Sequence, residues 1–585
     1  MTTFEQRRAE ILRSAALTAA GLPLKDSGLW FHADLRDNYY FAIHLYAFIT
    51  HTPEETRTEQ QKHDLKLAVR IISKVLSLQD QNPESPMYGH WPLNLGENPD
   101  TAKPHVLPVE LMGCLIAFFY DKYAADMDVS LKSELSLALT HIYQSGVYRN
   151  PLEQIHHHEA KHTSLKLLLG HLFGDNELLA EGIECARRQL AHVQTFGFKE
   201  YGALPWFWHW VQAFTCVWEV VDDPRAKAVS EQLLGYLWEL RAEYYLKGTW
   251  IGPKSREWPH DAPRDRNTPH DYIQFGDFPA PLDFPRVEGA ALYSYQIPAA
   301  VREKGTTRAA SGSEELKKRI RITNADAALV EDVHSYTYVT PEYAVGGLWE
   351  RRLEFDNEQH RWNVTLPLTN VANGVNQAYF FHPGEKYKPG DDRHASPYGE
   401  VLLHRNSACA LYILPQNAGE TLIGCLPRGQ WIFNEHTGAG KIGDVYIAFA
   451  VMQPYTTEEK PERISVSSSG RINGVMMEAI SEYEARSIGI ESLEQLQDRW
   501  GQLAHRQVFR QIEAAEDNEA GDTVVFSYES LLGTKLEMSL TAAHDEKDCR
   551  LLKLERSVNG SPVDFTQYKA AALVELSVMS ARQKT

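Results

Sequence analysis

HHHEAKHTSLKLLLGHLFGDNELLAEGIECARRQLAHVQTF, residues 156–196, holds two helical periods separated by a stop. Leu165, Leu168, Leu169 and Leu172 recur at i, i+3, i+4 and i+7, the spacing of a buried stripe on one helix. LFGDNEL then reads as a helix stop and restart, so the stretch is a helical hairpin. Outward from it, the segments 37–50, 55–80, 104–124, 130–145, 204–221 and 225–246 repeat the pattern, with Gly, Pro, Asn and Asp between them. The opening MTTFEQRRAEILRSAALTAAGLP is amphipathic and reads as a first helix rather than a signal peptide. Eight or more helices with short connections predict antiparallel hairpins packed side by side, an array that can close into an α/α toroid.

After about residue 285 the texture changes. VLLHRNSACALYIL reads as two strands around Asn406-Ser407, and TLIGCLPRGQWIF as two more around Pro427 to Gly429. Asp444 to Met452 is strongly β-prone, and DTVVFSYES reads as a later strand. One helix near 490–504 interrupts them, with Leu493, Leu496, Trp500 and Leu503 at helical spacing. The expected division is therefore residues 1–285, an α/α toroid carrying the site, and residues 286–585, a large antiparallel β-sandwich. The Pro- and Asp-rich stretch 253–285 is the junction, and no internal repeat is visible.

A chain of 585 residues exceeds what one core supports, which fits that division. Its 43% apolar and 23% charged residues are those of a globular protein. A formal net charge of −19 argues against a nucleic-acid-binding surface, and the absence of an apolar run of about 18 residues argues against a membrane span. Six cysteines without CxxC spacing suit reduced thiols, so the expected location is the cytoplasm.

Sixteen of the 24 histidines and nine of the 13 tryptophans precede residue 286, which places the candidate ligand surface in the helical half and its junction. The loop YGHWPLNLGENPDTAKPH offers Tyr88, Trp91, Asn98 and His105 at the mouth of a toroid; the plainer alternative is a solvated connector. IHHHEAKH contains H-E-x-x-H at His158, Glu159 and His162, the pattern of a zinc metallopeptidase, although Lys161 intrudes and only Glu177 or Glu181 offers a third ligand. A second reading follows from spacing. His158 and His162 continue the stripe of Leu165 and Leu169, so they face inward and line a cavity or, alternatively, serve as core histidines. FGFKEYGALPWFWHW supplies Tyr201, Trp206 and His209 as a platform for sugar rings, with Trp208 and Trp210 read as core. GPKSREWPHDAPRDRNTPHDY supplies Ser255, Arg256, His260 and His270 in a stretch of little regular structure, where Arg256 can clamp a carboxylate and the alternative is a salt-bridged linker.

With a helical hairpin array running into a β domain, and with GDNELLAEGIECARRQLAHVQTFGFKEY followed by GPKSREW, the chain resembles the α/α-toroid polysaccharide lyases, of the heparinase II/III-like and chondroitin or hyaluronan lyase groups. The resemblance implies β-elimination at a uronic acid residue of an acidic oligosaccharide or polysaccharide. Such chemistry needs a base, a proton donor to the leaving oxygen and groups that neutralise the carboxylate. On that resemblance Tyr201 or His158 is base or acid, and His162, Asn98, His105 and Arg256 neutralise or orient. Tyr88, Trp91, Trp206, His209 and His260 bind sugar. No cofactor is required; a divalent metal, zinc or calcium, stays open, as does the oligomeric state. The β half is expected to close the cleft and to lend a residue such as His334, His360 or His382. The runner-up is a glycoside hydrolase or phosphorylase on the same scaffold, pairing two of Glu97, Glu110, Glu159, Glu200 and Glu257. A non-catalytic glycan-binding protein is the third reading.

Overall fold

The structure, a computed structural model, describes residues 2–149, 155–200, 202–254, 268–281, 286–308, 312–323, 328–350, 361–369, 374–390, 392, 394–504, 508–512, 521–544 and 549–570. A helical region comes first and antiparallel sheets follow. The helices of the first region are α1 Phe4–Gly21, α2 Leu35–Thr50, α3 Glu59–Ser77, α4 Pro108–Tyr123, α5 Val129–Ser145, α6 His157–Leu172, α7 Asn176–Phe196, α8 Leu204–Val220, α9 Pro224–Glu243, α10 Thr268–Gln274 and α11 Ala299–Thr306.

Their boundaries follow local chemistry. Thr3 with Gln6 and Thr58 with Gln61 form capping boxes at α1 and α3, each satisfying orphan N–H groups from both sides. Asp175 caps α7 by accepting from the Leu178 N–H, one residue after Gly174 takes φ +66 and lets the chain leave α6. In the α6–α7 hairpin, a Cβ on Gly170 would lie 2.7 Å from the Leu179 backbone nitrogen, so the helices touch where one side chain is missing.

Two kinds of helix alternate. In α2, α4, α6 and α8 nearly every described residue is buried, whereas α3 and α7 bury one stripe, Leu67 to Leu76 and Leu178 to Val193. An all-round buried helix belongs inside and a striped one outside. The pairings α2 with α3, α4 with α5, α6 with α7 and α8 with α9 are hairpins, and the inner helices α4, α6 and α8 all touch one another. The polar groups on these inner helices can therefore meet.

The expected division after residue 285 falls inside this helical core. Val287, Leu292, Tyr293, Ile297 and Val301 pack into it, and the first long strand begins at Glu314. A nine-stranded sheet runs in the order 455–459, 463–469, 421–427, 377–381, 362–365, 344–348, 329–339, 314–323 and 569–570, antiparallel except for its last pair. A six-stranded sheet runs 399–404, 407–413, 472–481, 445–451, 437–442 and 430–433, and a five-stranded sheet spans 509–562. All three contribute to one core, through Trp362 and Phe380, Phe449 and Met476, and Val524 and Phe526 respectively.

The 399–404 and 407–413 strands form a hairpin whose turn is Arg405-Asn406, one residue earlier than the sequence suggests. Arg405 takes φ 46, as a two-residue turn requires. The 421–427 and 430–433 strands are both present but lie in different sheets, so Arg428-Gly429 carries the chain across. Cys114, Cys185, Cys216, Cys409 and Cys425 are free thiols. Among the described residues no helix is long and apolar enough to cross a membrane.

The halves meet at a short hairpin, Tyr245–Leu246 with Thr249–Trp250. Lys247 donates from its ammonium to the Pro341 carbonyl, 3.0 Å away, Asn363 donates to the Gly252 carbonyl at 3.0 Å, and Asn376 to the Thr249 hydroxyl at 3.1 Å.

Candidate active site

Glu110 is the one carboxylate on an inner helix stretch that is otherwise apolar from Val109 to Phe119. It is received by α6. His158 Nδ1 lies 2.8 Å from both Glu110 oxygens, His162 Nε2 lies 3.4 Å from Oε1, and the Lys161 ammonium pairs with Oε2. Positions 158, 161 and 162 are i, i+3 and i+4, so one face of α6 presents all three groups to one carboxylate. Lys161, an intruder in the zinc reading, is thus an ordinary member of that face. Burial works to raise the Glu110 carboxyl, but Lys161 and the two histidines outweigh it and hold it well below the usual range. An ionised Glu110 fixes the proton of His158 on Nδ1 and leaves Nε2 as a lone pair. With its side chain 27% exposed against 8% for His162, His158 is the more reachable ring. Burial lowers its pKa, in opposition to Glu110. Glu159 turns elsewhere, pairing with Arg188 of α7 at 2.9 Å.

A second pair stands beside the first. His157 is bound to Glu200, with Nδ1 2.6 Å from Oε1 and the backbone N–H donating to Oε2 at 2.9 Å. Trp210 donates its indole N–H to the same Oε2 at 2.8 Å. Burial pushes the Glu200 carboxyl up to about 7 and drives the His157 imidazole well below its ordinary value. Trp206 stacks on His157, centroids 4.7 Å apart and planes within 11°. The His157 ring is 4.0 Å from His158 and 5.7 Å from His209.

The third pair comes from α8 and from the segment after the junction. His209 Nε2 is 3.7 Å from Glu288 Oε1. Gln212, three residues further on the same helix face, donates to Glu288 Oε2 and accepts from the Gly289 N–H at 3.0 Å. Burial, then Lys161, lowers His209 to about 4. Burial raises Glu288, but His209 and Arg286 prevail and bring it to about 2. Arg286 binds Asp37 at 3.0 Å and also Asp34, which caps α2 and holds Arg36.

Of the residues expected from sequence, His158, His162, Trp206 and His209 are brought into this cluster, together with Glu110 and Glu200. Tyr201, Arg256 and His260 lie outside the described residues, as do Ser255, Glu257 and His360. The others have local occupations, although His270 is close enough to Glu288 to interact with its charge. Asn98 is exposed and accepts from the Asp100 N–H at 3.3 Å; His105 is exposed and accepts from the Leu107 N–H at 3.1 Å. Both serve the turns of their own loop. Tyr88 bonds His141 and Gln144, each at 2.8 Å. Trp91 is fully buried and donates to the Val75 carbonyl at 2.9 Å, so it has no face to offer a sugar. His270 stacks on Trp208 in the core. In the β half, His334 is held by Glu350 and His382 by the Gly419 carbonyl.

Sequence reasoning missed Arg286, Glu288 and Gln212. Nothing in their local pattern marks them, because their role depends on where the chain returns after the junction. Among the described residues no group of three or more His, Cys, Asp or Glu is arranged to hold a metal. Compared with known proteins, the chain matches no family model and no curated sequence.

Proposed function

We propose that the protein is a carbohydrate-active lyase that cleaves a uronate-containing oligosaccharide or polysaccharide by β-elimination, with the helical half closing as an α/α toroid and the β half as a sandwich against it. The observation that carries this reading is the set of three imidazole–carboxylate pairs beside the stacked indole of Trp206, whose imidazoles stand on α6 and α8 and whose carboxylates come from α4, the turn before α8 and the segment after the junction.

His158 is the base. Its Nε2 lone pair takes the C5 proton, the C5–H electrons form the C4=C5 double bond, the C4–O bond breaks, and the leaving oxygen takes a proton from a donor, a role we assign to Tyr201. Glu110 keeps His158 in the required tautomer, as the carboxylate does in other His–carboxylate pairs. Lys161 supplies positive charge against the uronate carboxylate as negative charge builds on it. Trp206, stacked on His157 and 7% exposed, leaves a small apolar surface for a sugar ring to meet.

Incubation with uronate oligosaccharides, followed by ultraviolet absorbance, tests the reading: an unsaturated product absorbs. New reducing ends without that absorbance would overturn it in favour of a hydrolase. One observation favours the hydrolase as second reading. Glu200 is pushed up to about 7 and Glu288 held at about 2, a separation suited to an acid and an ionised partner.

A further inference from the structure

Glu288 is a buried residue with φ 47, a left-handed conformation that strains a residue carrying a side chain. Such strain persists only where the surroundings impose it. Here they do so on both sides: Arg286 is tied to Asp34 and Asp37 at the start of α2, and Gly289 to Gln212 of α8. Gln212 also grips the carboxylate itself. The strap thus holds one carboxylate against the Nε2 edge of His209.

The opposite edge of that ring is bare. His209 Nδ1 is enclosed and has no hydrogen-bond partner among the described residues, and the same is true of His162 Nδ1. Both rings turn Nε2 toward a carboxylate, Glu288 and Glu110 respectively, and leave Nδ1 unused. A buried polar atom without a partner forfeits the hydrogen bond it made to water, so two in one cluster call for a group that completes them.

We propose that Glu288 is a positioning residue: from its strained strap it fixes His209 as the Nε2–H tautomer and leaves Nδ1 to accept a hydrogen from a ligand hydroxyl. The ligand class, a polyhydroxylated sugar, rests on the function proposed above; the control of the tautomer does not. His162 Nδ1 is a second acceptor of the same kind, so the pair reads hydroxyls rather than carboxylates. The 3.7 Å separation is longer than a hydrogen bond and tightens when the ring is engaged on its other edge.

The test uses Glu288→Gln, which preserves volume and an acceptor for Gln212 while removing the charge. In the full-length protein labelled with 15N-histidine, His209 is assigned by its loss in His209→Asn. The wild type is expected to show a protonated Nε2 and a bare Nδ1, and E288Q a loss of that preference. Glu288→Asp, which keeps the charge, should restore it, and Glu288→Ala, which also removes the carboxylate, substitutes for E288Q should the latter fail to fold. An unchanged tautomer in a folded E288Q protein overturns the proposal. Binding of a uronate oligosaccharide is then measured by calorimetry, with about tenfold weaker binding expected in E288Q. If the wild type binds no glycan, the functional reading fails while the tautomer result still decides the role of Glu288. If it binds and E288Q binds equally well, the hydroxyl contact is refuted.

Discussion

Replacing Glu110 by Gln keeps the shape of the side chain and removes the negative charge that His158, Lys161 and His162 of α6 share. The Lys161 ammonium, 4% exposed, then has lost its counter-charge in the interior. Breaking a buried pair from one side costs about 3–5 kcal/mol, since a charge is left uncompensated. For a helical region of this size that is a fall on the order of 10 °C in the midpoint of its thermal transition. The double variant Glu110→Gln/Lys161→Met removes both charges and should recover about half or more of the loss, because replacing a whole buried pair is often close to neutral. Far-ultraviolet circular dichroism follows the helical transition of wild type, both single variants and the double variant. The double variant should stay as inactive as E110Q, since His158 has lost the carboxylate that sets its tautomer. A single E110Q variant destabilised by less than about 1 kcal/mol, or a double variant no better than the single, would refute the reasoning that this carboxylate neutralises the α6 face.

Three further expectations follow. Burial pushes His44, His209 and His270 down to about 4, so the folded protein binds fewer protons than the unfolded chain below pH 6.5; stability should be full above that value and decline toward pH 4, by about 3 kcal/mol per histidine, and a urea midpoint unchanged between pH 7 and 4.5 would contradict it. Gly170→Ala places a methyl against the Leu179 backbone, which cannot swing aside; a loss of about 1–3 kcal/mol by urea denaturation is expected, and a neutral result would mean that α6 and α7 separate freely. Trp206→Ala should raise KM for the oligosaccharide about tenfold with a smaller change in kcat, and a reversed pattern in steady-state kinetics would remove Trp206 from sugar binding.

The helical half was legible because its signals are local. The leucine stripe of α6, the Gly-Asp-Asn break and the caps at Thr3, Thr58 and Asp175 act over a few residues, so pattern and structure agree closely. Strand existence was equally readable, as at 445–451, but strand partnership was not. Nothing local distinguishes 421–427 from 430–433, yet they belong to different sheets, since partnership depends on distant segments. The site divided along the same line. The inward direction of His158 and His162 followed from spacing, whereas their common partner Glu110, 48 residues before His158, did not. A loop rich in Asn, His and Trp looked like a binding loop, but polar residues that serve turns and an indole that fills a core have the same composition. The strap at Arg286–Glu288 gave no signal at all. Its significance is a matter of chain return, and a return point is invisible to any short window.

The seam between the halves has a consequence for anyone who would cut the chain. Asn363, in the strand 362–365, and Asn376, just before the neighbouring strand 377–381, both spend an amide on residues 249–252, and Leu368 donates its N–H to the Lys247 carbonyl at 3.2 Å. These are directional bonds at fixed positions, unlike an oily contact that tolerates sliding. A graft that swaps the β half for another sheet would strand the hairpin 245–250 with unanswered polar groups unless matching amides travel with it. The hairpin and its asparagines therefore behave as one inherited cassette.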